Sequence, residues 1–401
     1  MLRVHQGEQE LNMFDSKKSS IIKDLDKLSF EYVPEKLVHR ESQMASLRML
    51  FRPVIESGRS ATAFLIGSVG TGKTATAKRF CLDIRRYAMD AGKPVDHHII
   101  NCRRNNSDSS VLLSLIRHYD PGYPDRGFSV SEMMKSVKKH VEKRGQHLIV
   151  VLDEVDVLIK KGASDIIYQL SRFNEESINV GSSVSLIMIS QEYVLDRLDT
   201  ASLSTFRRTN AISFDRYKRD ELLDIVRARS DEALHPGHVR DDSLELMADI
   251  AAEWGDARFV IEMLERSAMI AEEAGASEVD AEHVREAKAM TYSVVTESKL
   301  TELDRQQKLT LLAVARSIKG DAYVNTGQAE KAYVLACEEY GDKARKHTQF
   351  WTYIRSLSDQ GLLETSVRGD PDGGRTTYIS LPDMPAKVLK EKMAQLLQDE
   401  S

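Results

Sequence analysis

Four apolar runs in the first half of the chain have the pattern of strands that are buried on both faces. The runs are 61–66, 98–101, 147–152 and 185–190. Segments with helical spacing separate them, and this alternation is typical of a parallel α/β sheet with helices on its faces. We therefore predict an α/β unit over 28–213, preceded by a polar and loosely held arm over 1–27.

The hydrophobic spacing changes to a purely helical period after about residue 214. Apolar side chains recur at intervals of three and four residues, and strand signals do not interrupt them. The segments with this spacing are 220–227, 243–250, 257–274 and 279–293. The pattern predicts an all-helical second unit over 214–296.

A third unit follows a polar linker over 297–305. Three helical segments precede two alternating segments at 361–368 and 375–381, with a turn-rich tip between them. Three helices and a hairpin predict a winged-helix domain over 306–385, followed by a C-terminal helix or tail over 386–401. A small protein-binding module with the same topology remains an open alternative, because a fold does not dictate its function.

The composition limits the classes of protein to which the chain can belong. Of its 401 residues 41% are hydrophobic and 29% are charged, which is typical of a globular protein with two or three domains. The net charge of −6 confines any DNA contact to a local, salt-dependent patch. The three cysteines are far apart, which favours a reduced protein of the cytoplasm. No apolar run approaches the roughly 20 residues of a membrane span, so no membrane partner is expected.

A phosphate-binding loop follows the first apolar run directly. Its glycines allow backbone N–H groups to approach phosphate oxygens at the start of a helix. Lys73 is expected to reach the β- and γ-phosphates of ATP or ADP, and the Thr74 hydroxyl to ligate Mg²⁺. A Gly-rich turn without a ligand is the alternative. The predicted nucleotide-binding residues of this segment are Gly67, Ser68, Val69, Gly70, Thr71, Gly72, Lys73, Thr74 and Ala75.

Two acidic residues end the apolar run 147–152. Asp153 is expected to hold Mg²⁺, and Glu154 to activate the attacking water as a general base. A strand that ends in two solvated acids is the alternative. Together with the phosphate-binding loop, the pair predicts ATP hydrolysis rather than storage of a nucleotide.

Three further segments, 32–41, 214–217 and 254–258, carry a resemblance to a known family. The chain resembles the archaeal origin-recognition initiators, which are AAA+ ATPases related to the eukaryotic origin recognition complex, over nearly all of 28–381. The resemblance implies an AAA+ core, a helical lid and a winged helix. It also implies nucleotide contacts for four further residues, namely Val33, Pro34, Arg40 and Tyr217.

The resemblance implies catalytic roles outside the phosphate-binding loop as well. Arg258, in the segment Gly255-Asp256-Ala257-Arg258, matches the family's sensor-2 arginine, which contacts the γ-phosphate from the lid. Gln191 stands where the family usually has a water-orienting Asn. Arg207 and Arg208 are candidates for an arginine finger, although the surrounding sequence departs from the family pattern and a solvated basic pair is the simpler interpretation.

Candidate DNA contacts lie in two parts of the chain. Arg126 belongs to 107–134, which corresponds to a DNA-touching insertion of the family and is expected to contain an irregular loop between helices. In the winged helix, residues at the start of the third helix and beside the wing tip are expected to contact duplex DNA. These residues are Arg345, Lys346, Thr348, Gln349, Arg368 and Arg375, with Asp370 and Asp372 opposing phosphate at the tip.

The function implied by the resemblance is an ATP-dependent replication initiator with slow hydrolysis that acts as a switch. It would bind double-stranded origin DNA, help to recruit or load the replicative helicase, and associate with the nucleoid. Paralogous initiator subunits are further candidate partners. The alternative is an AAA+ regulatory or helper ATPase whose winged helix binds protein.

Overall fold

The chain folds into two compact units. The computed structural model describes residues 20–163, 165–173, 183–194, 210–291, 300, 303–318, 320–369, 375–381 and 385–399. One unit consists of Phe30–Ile225 and Ala251–Phe259, and the other of Met1–Ser29, Val226–Ile250 and Val260–Ser401. The candidate nucleotide site lies in the first unit, and the winged helix in the second.

The first unit is built on a five-stranded parallel sheet with the strand order β2-β3-β4-β1-β5. Its strands are β1 (Thr62–Ile66), β2 (Val95–Asn101), β3 (His147–Asp153), β4 (Ser183–Ser190) and β5 (Ala211–Ser213). The first four confirm the apolar runs of the sequence. The three-residue β5 was not predicted, because so short a strand has no readable alternation.

Helices cover both faces of this sheet. Alternate residues of β3 divide between two buried clusters: Val150 packs in one and Val151 in the other. The helices are α1 (Glu41–Ser57), α2 (Lys73–Asp90), α3 (Asp108–Tyr119), α4 (Val130–Arg144), α5 (Val155–Lys160) and α6 (Asp165–Ser171). The side chains of α1 and α2 join the Val151 cluster, and those of α3 to α6 join the Val150 cluster. Burial on both faces explains why β3 reads as a continuous apolar run.

The structure contains the all-helical lid that the sequence predicts, most of it in the second unit and residues 219–225 and 251–259 in the first. The lid helices are α7 (Arg219–Ala233), α8 (Asp241–Ala252), α9 (Ala257–Glu273) and α10 (Ala281–Thr291). The expectation of a loose arm through residue 27 is wrong for residues 20–27. The Ile21 carbonyl accepts a 2.9 Å hydrogen bond from the His235 amide, and Leu28 is fully buried in the second unit. Residues 1–19 lie outside the described residues.

The winged helix has three helices, α11 (Arg305–Ile318), α12 (Thr326–Glu339) and α13 (His347–Asp359). Its three-stranded sheet consists of β6 (Val324–Asn325), β7 (Glu364–Gly369) and β8 (Arg375–Ser380) in the order β6-β8-β7. The final helix, α14 (Ala386–Asp399), packs on α11 through the same buried cluster. Leu300 and Leu303 of the predicted polar linker are buried in that cluster too.

A buried arginine joins the lid to the winged helix inside the second unit. Arg285 of α10 is fully buried and donates to the carbonyl oxygens of Asp321 (2.7 Å), Ala322 (3.1 Å) and Leu381 (3.3 Å). A buried guanidinium with several acceptors holds its neighbours in one arrangement.

Among the helices that the structure describes, none has the length and the apolar character that a membrane span requires.

Candidate functional site

The phosphate-binding loop joins the carboxyl end of β1 to the first turn of α2. Gly67 follows β1, and its N–H donates to the carbonyl of Ser190 at the end of the neighbouring β4 (3.3 Å). Gly70 and Gly72 have φ angles of 73° and 85°, a region that residues with a Cβ rarely adopt. A Cβ on Gly72 would also lie 2.6 Å from the Tyr217 hydroxyl oxygen. The loop therefore requires these glycines.

Lys73 is the first residue of α2 and folds back into the loop. Its Nζ donates to the carbonyl oxygens of Gly67 (2.7 Å) and Ser68 (2.6 Å), and its side chain is almost fully buried. Burial lowers the pKa of Lys73, while the nearby Asp153 carboxylate raises it. A cation placed among loop carbonyls is suited to exchange these bonds for phosphate oxygens.

Thr74 and Asp153 meet at the predicted magnesium position. The Thr74 hydroxyl donates to Oδ2 of Asp153 at 2.9 Å. Burial raises the pKa of the Asp153 carboxyl above its ordinary value, so the site favours a cation beside it. A hydroxyl and a carboxylate are oxygen ligands of the kind that Mg²⁺ prefers, so the pair fits that ion.

The Glu154 carboxylate is engaged by two residues that the sequence analysis missed. Asn101 Nδ2 donates to one of its oxygens (3.2 Å), and Arg103 Nε donates to the other (2.7 Å). Glu154 itself has a left-handed φ of 58° between β3 and α5. The pairing of β2 with β3 explains the contact, because it places Asn101 at the end of β2 beside Asp153.

Arg40 and Tyr217 support the backbone of the phosphate-binding loop from one side, and we call this pair the brace. Arg40 is nearly buried and donates to the carbonyl oxygens of Thr71 (2.9 Å), His39 (2.8 Å) and Asp215 (3.0 Å). Its guanidinium carbon lies 3.7 Å from the centroid of the Tyr217 ring. These bonds hold the loop backbone, and a direct contact of either side chain with nucleotide remains a prediction.

The other predicted nucleotide residues have less informative surroundings. Val33 and Pro34 are half-buried in the irregular segment before α1, and Ala75 lies in the first turn of α2. Gln191 is exposed directly after β4, next along the chain from the Ser190 carbonyl that binds the loop. Arg207 and Arg208 lie outside the described residues.

Arg258 lies in the first turn of α9, close to the loop. Its guanidinium carbon is 5.4 Å from the centroid of the Phe30 ring, and its charge lowers the pKa of Lys73, although less than burial does. The preceding residue, Ala257, donates its N–H to the Gly70 carbonyl at 3.1 Å. The structure therefore brings the predicted sensor arginine to the phosphate-binding loop.

The predicted recognition residues of the winged helix share one exposed turn. Lys346 is the N-cap of α13, and Arg345, Thr348 and Gln349 beside it are also exposed. The Arg345 N–H donates to the hydroxyl of the buried Tyr333, which fixes the entry into the helix. An exposed helix start with flanking cations is suited to contact phosphates and base edges.

The two wing arginines have different surroundings. Arg375 is exposed at the start of β8, whereas residues 370–374, including Asp370 and Asp372, lie outside the described residues. Arg368 donates to Glu245 (3.0 Å) and Asp249 (2.7 Å) of the lid helix α8 and stacks on Tyr323, 3.9 Å from the ring centroid. The Arg368 guanidinium is thus bound within the protein, which disfavours the DNA contact that the sequence predicts for it.

The structure confirms the expected loop between helices in the insertion. Residues 120–129 connect α3 to α4, and Arg126 is exposed in this loop. Asp125 pairs with Arg117 at 2.6 Å, and the Tyr123 and Phe128 rings are 4.9 Å apart. A DNA contact by Arg126 remains a prediction.

Three family models match consecutive parts of the chain. They are described as an AAA domain (residues 57–198), a Cdc6 AAA+ ATPase-type lid domain (residues 223–289) and a CDC6 C-terminal winged helix domain (residues 298–391). Their order is the order of the sheet unit, the lid and the winged helix described above.

Proteins of archaea are similar to the chain over nearly its whole length. ORC1-type DNA replication protein 1 of Archaeoglobus fulgidus is 32% identical over 389 residues, which cover 96% of this chain and 94% of that relative. The ORC1-type DNA replication protein of Pyrococcus furiosus is 30% identical, covering 94% of this chain and 92% of the relative.

Two solved structures share the fold. Cdc6p from Pyrobaculum aerophilum matches with a TM-score of 0.79 and 29% identity, covering 95% of this chain and 99% of that one. The ORC1 protein of Aeropyrum pernix in complex with DNA matches with a TM-score of 0.63 and 26% identity, covering 96% and 98%.

Proposed function

The chain belongs to the Cdc6/ORC1-type family of archaeal replication initiators, and on this premise we propose that it is an ATP-dependent initiator which binds duplex origin DNA and helps to recruit or load the replicative helicase. ATP hydrolysis acts as its switch. The observation that carries the proposal is the presence, in one chain, of a phosphate-binding loop whose Thr74 contacts Asp153 and of an exposed recognition turn, residues 345–349, in the winged helix.

The phosphate-binding loop supplies the binding step. Lys73 exchanges its bonds with Gly67 and Ser68 for phosphate oxygens, and the loop amides and the start of α2 add further donors. Thr74 and Asp153 hold Mg²⁺, which neutralises phosphate charge when it is bound.

Glu154 supplies the hydrolytic step as the general base. Its carboxylate first has to leave Arg103 and Asn101, because a base that accepts hydrogen bonds from a guanidinium and an amide is less available to a water molecule. Gln191 orients the attacking water from the end of β4. This engaged arrangement supports slow hydrolysis and a switch rather than rapid turnover.

Arg258 connects the nucleotide to the lid. It binds the γ-phosphate from the first turn of α9, and loss of that phosphate releases it. The remainder of the lid (Val226–Ile250 and the residues from Val260 onward) shares one compact unit with the winged helix, where Arg285 joins the two, so we expect them to respond together to the nucleotide.

The recognition turn supplies the DNA contact. Arg345 and Lys346 bind phosphates, while Thr348 and Gln349 reach base edges. Arg375 and Arg126 add peripheral phosphate contacts. A relative from Aeropyrum pernix has been solved in complex with DNA, which supports a DNA-binding role for this chain as well.

A gel-shift experiment tests the proposal with the full chain. Duplex fragments from the neighbourhood of its own gene are titrated at low salt with wild-type protein and with an Arg345→Glu/Lys346→Glu variant. We expect the wild type to shift a fragment and the variant to shift it weakly, with equal ATP turnover in both. If neither protein shifts duplex DNA, the alternative of a helper ATPase with a protein-binding winged helix is favoured.

A further inference from the structure

The side chain of Asp256 lies directly against the phosphate-binding loop. A Cβ built on Gly70 would overlap the Asp256 carboxylate, so the two residues are in van der Waals contact. Only a glycine leaves room for the carboxylate there, and the φ of 73° at Gly70 reinforces the requirement. The function proposed above gives Asp256 no role.

The same carboxylate determines where the Arg258 helix begins. Asp256 Oδ1 accepts hydrogen bonds from the amides of Arg258 (2.7 Å) and Phe259 (3.2 Å), which makes Asp256 the N-cap of α9. The adjacent Ala257 N–H donates to the Gly70 carbonyl at 3.1 Å. One side chain and one amide therefore attach the first turn of α9 to Gly70.

A second chain of contacts reaches the loop from the residue before Asp256. The Gly255 carbonyl accepts from the Tyr217 amide (3.2 Å), and Tyr217 stacks on Arg40. Arg40 in turn donates to the Thr71 carbonyl at 2.9 Å. The turn that carries Arg258 is thus fixed to two successive residues of the phosphate-binding loop.

We propose that Asp256 is the positioning residue of the nucleotide sensor: by capping α9 while it packs on Gly70, it holds the Arg258 guanidinium in register with the phosphates bound in the loop. The inference rests on the proposed binding of ATP in that loop. It assigns the discrimination between ATP and ADP to the contact of Asp256 with Gly70, and not to Arg258 alone.

The proposal distinguishes three substitutions at this position. Asp256→Asn keeps the cap and the contact, because Asn caps helices about as well as Asp. Asp256→Ser keeps one oxygen that can cap the helix but removes both carboxylate oxygens, which reduces the contact with Gly70. Asp256→Ala loses both the cap and the contact. If the contact positions Arg258, the Ser and Ala variants lose affinity for ATP more than for ADP, because ADP has no γ-phosphate for Arg258 to bind.

The test measures the dissociation constants of the fluorescent N-methylanthraniloyl derivatives of ATP and ADP, with Mg²⁺, for the full chain. We expect Asp256→Ser and Asp256→Ala to weaken ATP binding about tenfold more than ADP binding, and Asp256→Asn to keep the wild-type ratio. In an Arg258→Ala background, Asp256→Ala should leave the ratio unchanged, because the two residues act as one unit. Asp304→Ala is the matched control, since Asp304 caps α11 in the winged helix through the Gln307 amide (2.8 Å).

The outcomes separate this inference from the function on which it rests. A wild-type protein that binds neither nucleotide contradicts the proposed ATP site itself. A wild type that prefers ATP, with Asp256→Ser and Asp256→Ala variants that retain the preference, overturns the role of Asp256 and leaves the ATP site standing. An equal change of the ratio in Asp304→Ala also overturns it, because the effect would then belong to helix capping in general. The Ser variant keeps the test decisive if the Ala variant fails to fold.

Discussion

Replacing Arg40 by Lys separates two roles for this residue, a brace of the phosphate-binding loop and a contact with the base or ribose. The change keeps a positive charge but removes the planar guanidinium, which donates to the Thr71, His39 and Asp215 carbonyls and stacks on Tyr217. A lysine cannot satisfy acceptors in three directions with the same geometry. The brace predicts a loss of both stability and nucleotide affinity.

The magnitude follows from the burial of the side chain. Arg40 is 5% exposed, so its carbonyl partners lose bonds that water does not readily replace. Losing most of such a set of charged, buried hydrogen bonds costs about 2–4 kcal/mol of the free energy of unfolding. For a unit of this size that corresponds to a decrease of about 4–16 °C in the unfolding midpoint.

The assay combines a thermal melt with the affinities for ATP, dATP and ITP. The brace predicts that Arg40→Lys weakens all three by the same factor, because it distorts the loop that binds the phosphates. Arg79→Ala is the matched control: Arg79 is also nearly buried in this unit, but it pairs with Asp83 on α2. The control should lower the midpoint and leave the affinities unchanged.

The reasoning is refuted if Arg40→Lys changes the ratio of ATP to ITP or of ATP to dATP while the unfolding midpoint stays at its wild-type value. That result would mean that Arg40 contacts the adenine or the ribose, as the family resemblance implies, and that its bonds to the loop backbone contribute little.

Three further predictions concern hydrolysis, DNA binding and pH. Glu154→Gln should keep ATP bound and abolish turnover, whereas Arg103→Ala should raise turnover about two- to fivefold because it frees the Glu154 carboxylate. A phosphate-release assay measures both, and unchanged turnover in Glu154→Gln excludes Glu154 as the general base. Arg345→Glu/Lys346→Glu should lower the slope of log affinity for duplex DNA against log salt by about two. Arg368→Ala should leave that slope unchanged and lower the midpoint of unfolding, because Arg368 binds Glu245 and Asp249. Equal slopes for the wild type and the double variant would contradict DNA binding by the recognition turn. Burial lowers the pKa of His147 from 6.5 to about 4, so between these pH values the unfolded chain binds a proton that the folded protein does not bind. The free energy of unfolding should therefore fall by at most about 1.4 kcal/mol per pH unit as the pH drops from 6.5 to 4. Denaturant titrations should show a smaller decline for His147→Gln.

The features that could be predicted from the sequence are those encoded by consecutive residues. The glycines and Lys73 of the loop, the acidic end of β3 and the helical spacing of the lid are local patterns, and each predicts its element and its chemistry together. The family resemblance added Arg258, which no local pattern would have assigned to a phosphate. The structure brings Arg258 to the loop, as the proposed function requires.

The features that could not be predicted depend on residues far apart in the chain. Arg368 has the sequence context of a DNA-contacting wing, yet its guanidinium is bound by Glu245 and Asp249, more than a hundred positions earlier. Arg103 reaches Glu154 in the same way, because β2 and β3 lie side by side. The sequence alone does not show which acidic side chain, or which DNA phosphate, such an arginine will bind, because the fold decides which of them lies within reach.

A footprint of the full chain on the genomic DNA that flanks its own gene tests the central claim most directly. The account predicts a discrete protected region for the wild type at low salt, which is lost in the Arg345→Glu/Lys346→Glu variant while ATP turnover is retained. Turnover of ATP without protection of any duplex region would contradict it, because the chain would then be an ATPase whose winged helix does not bind DNA.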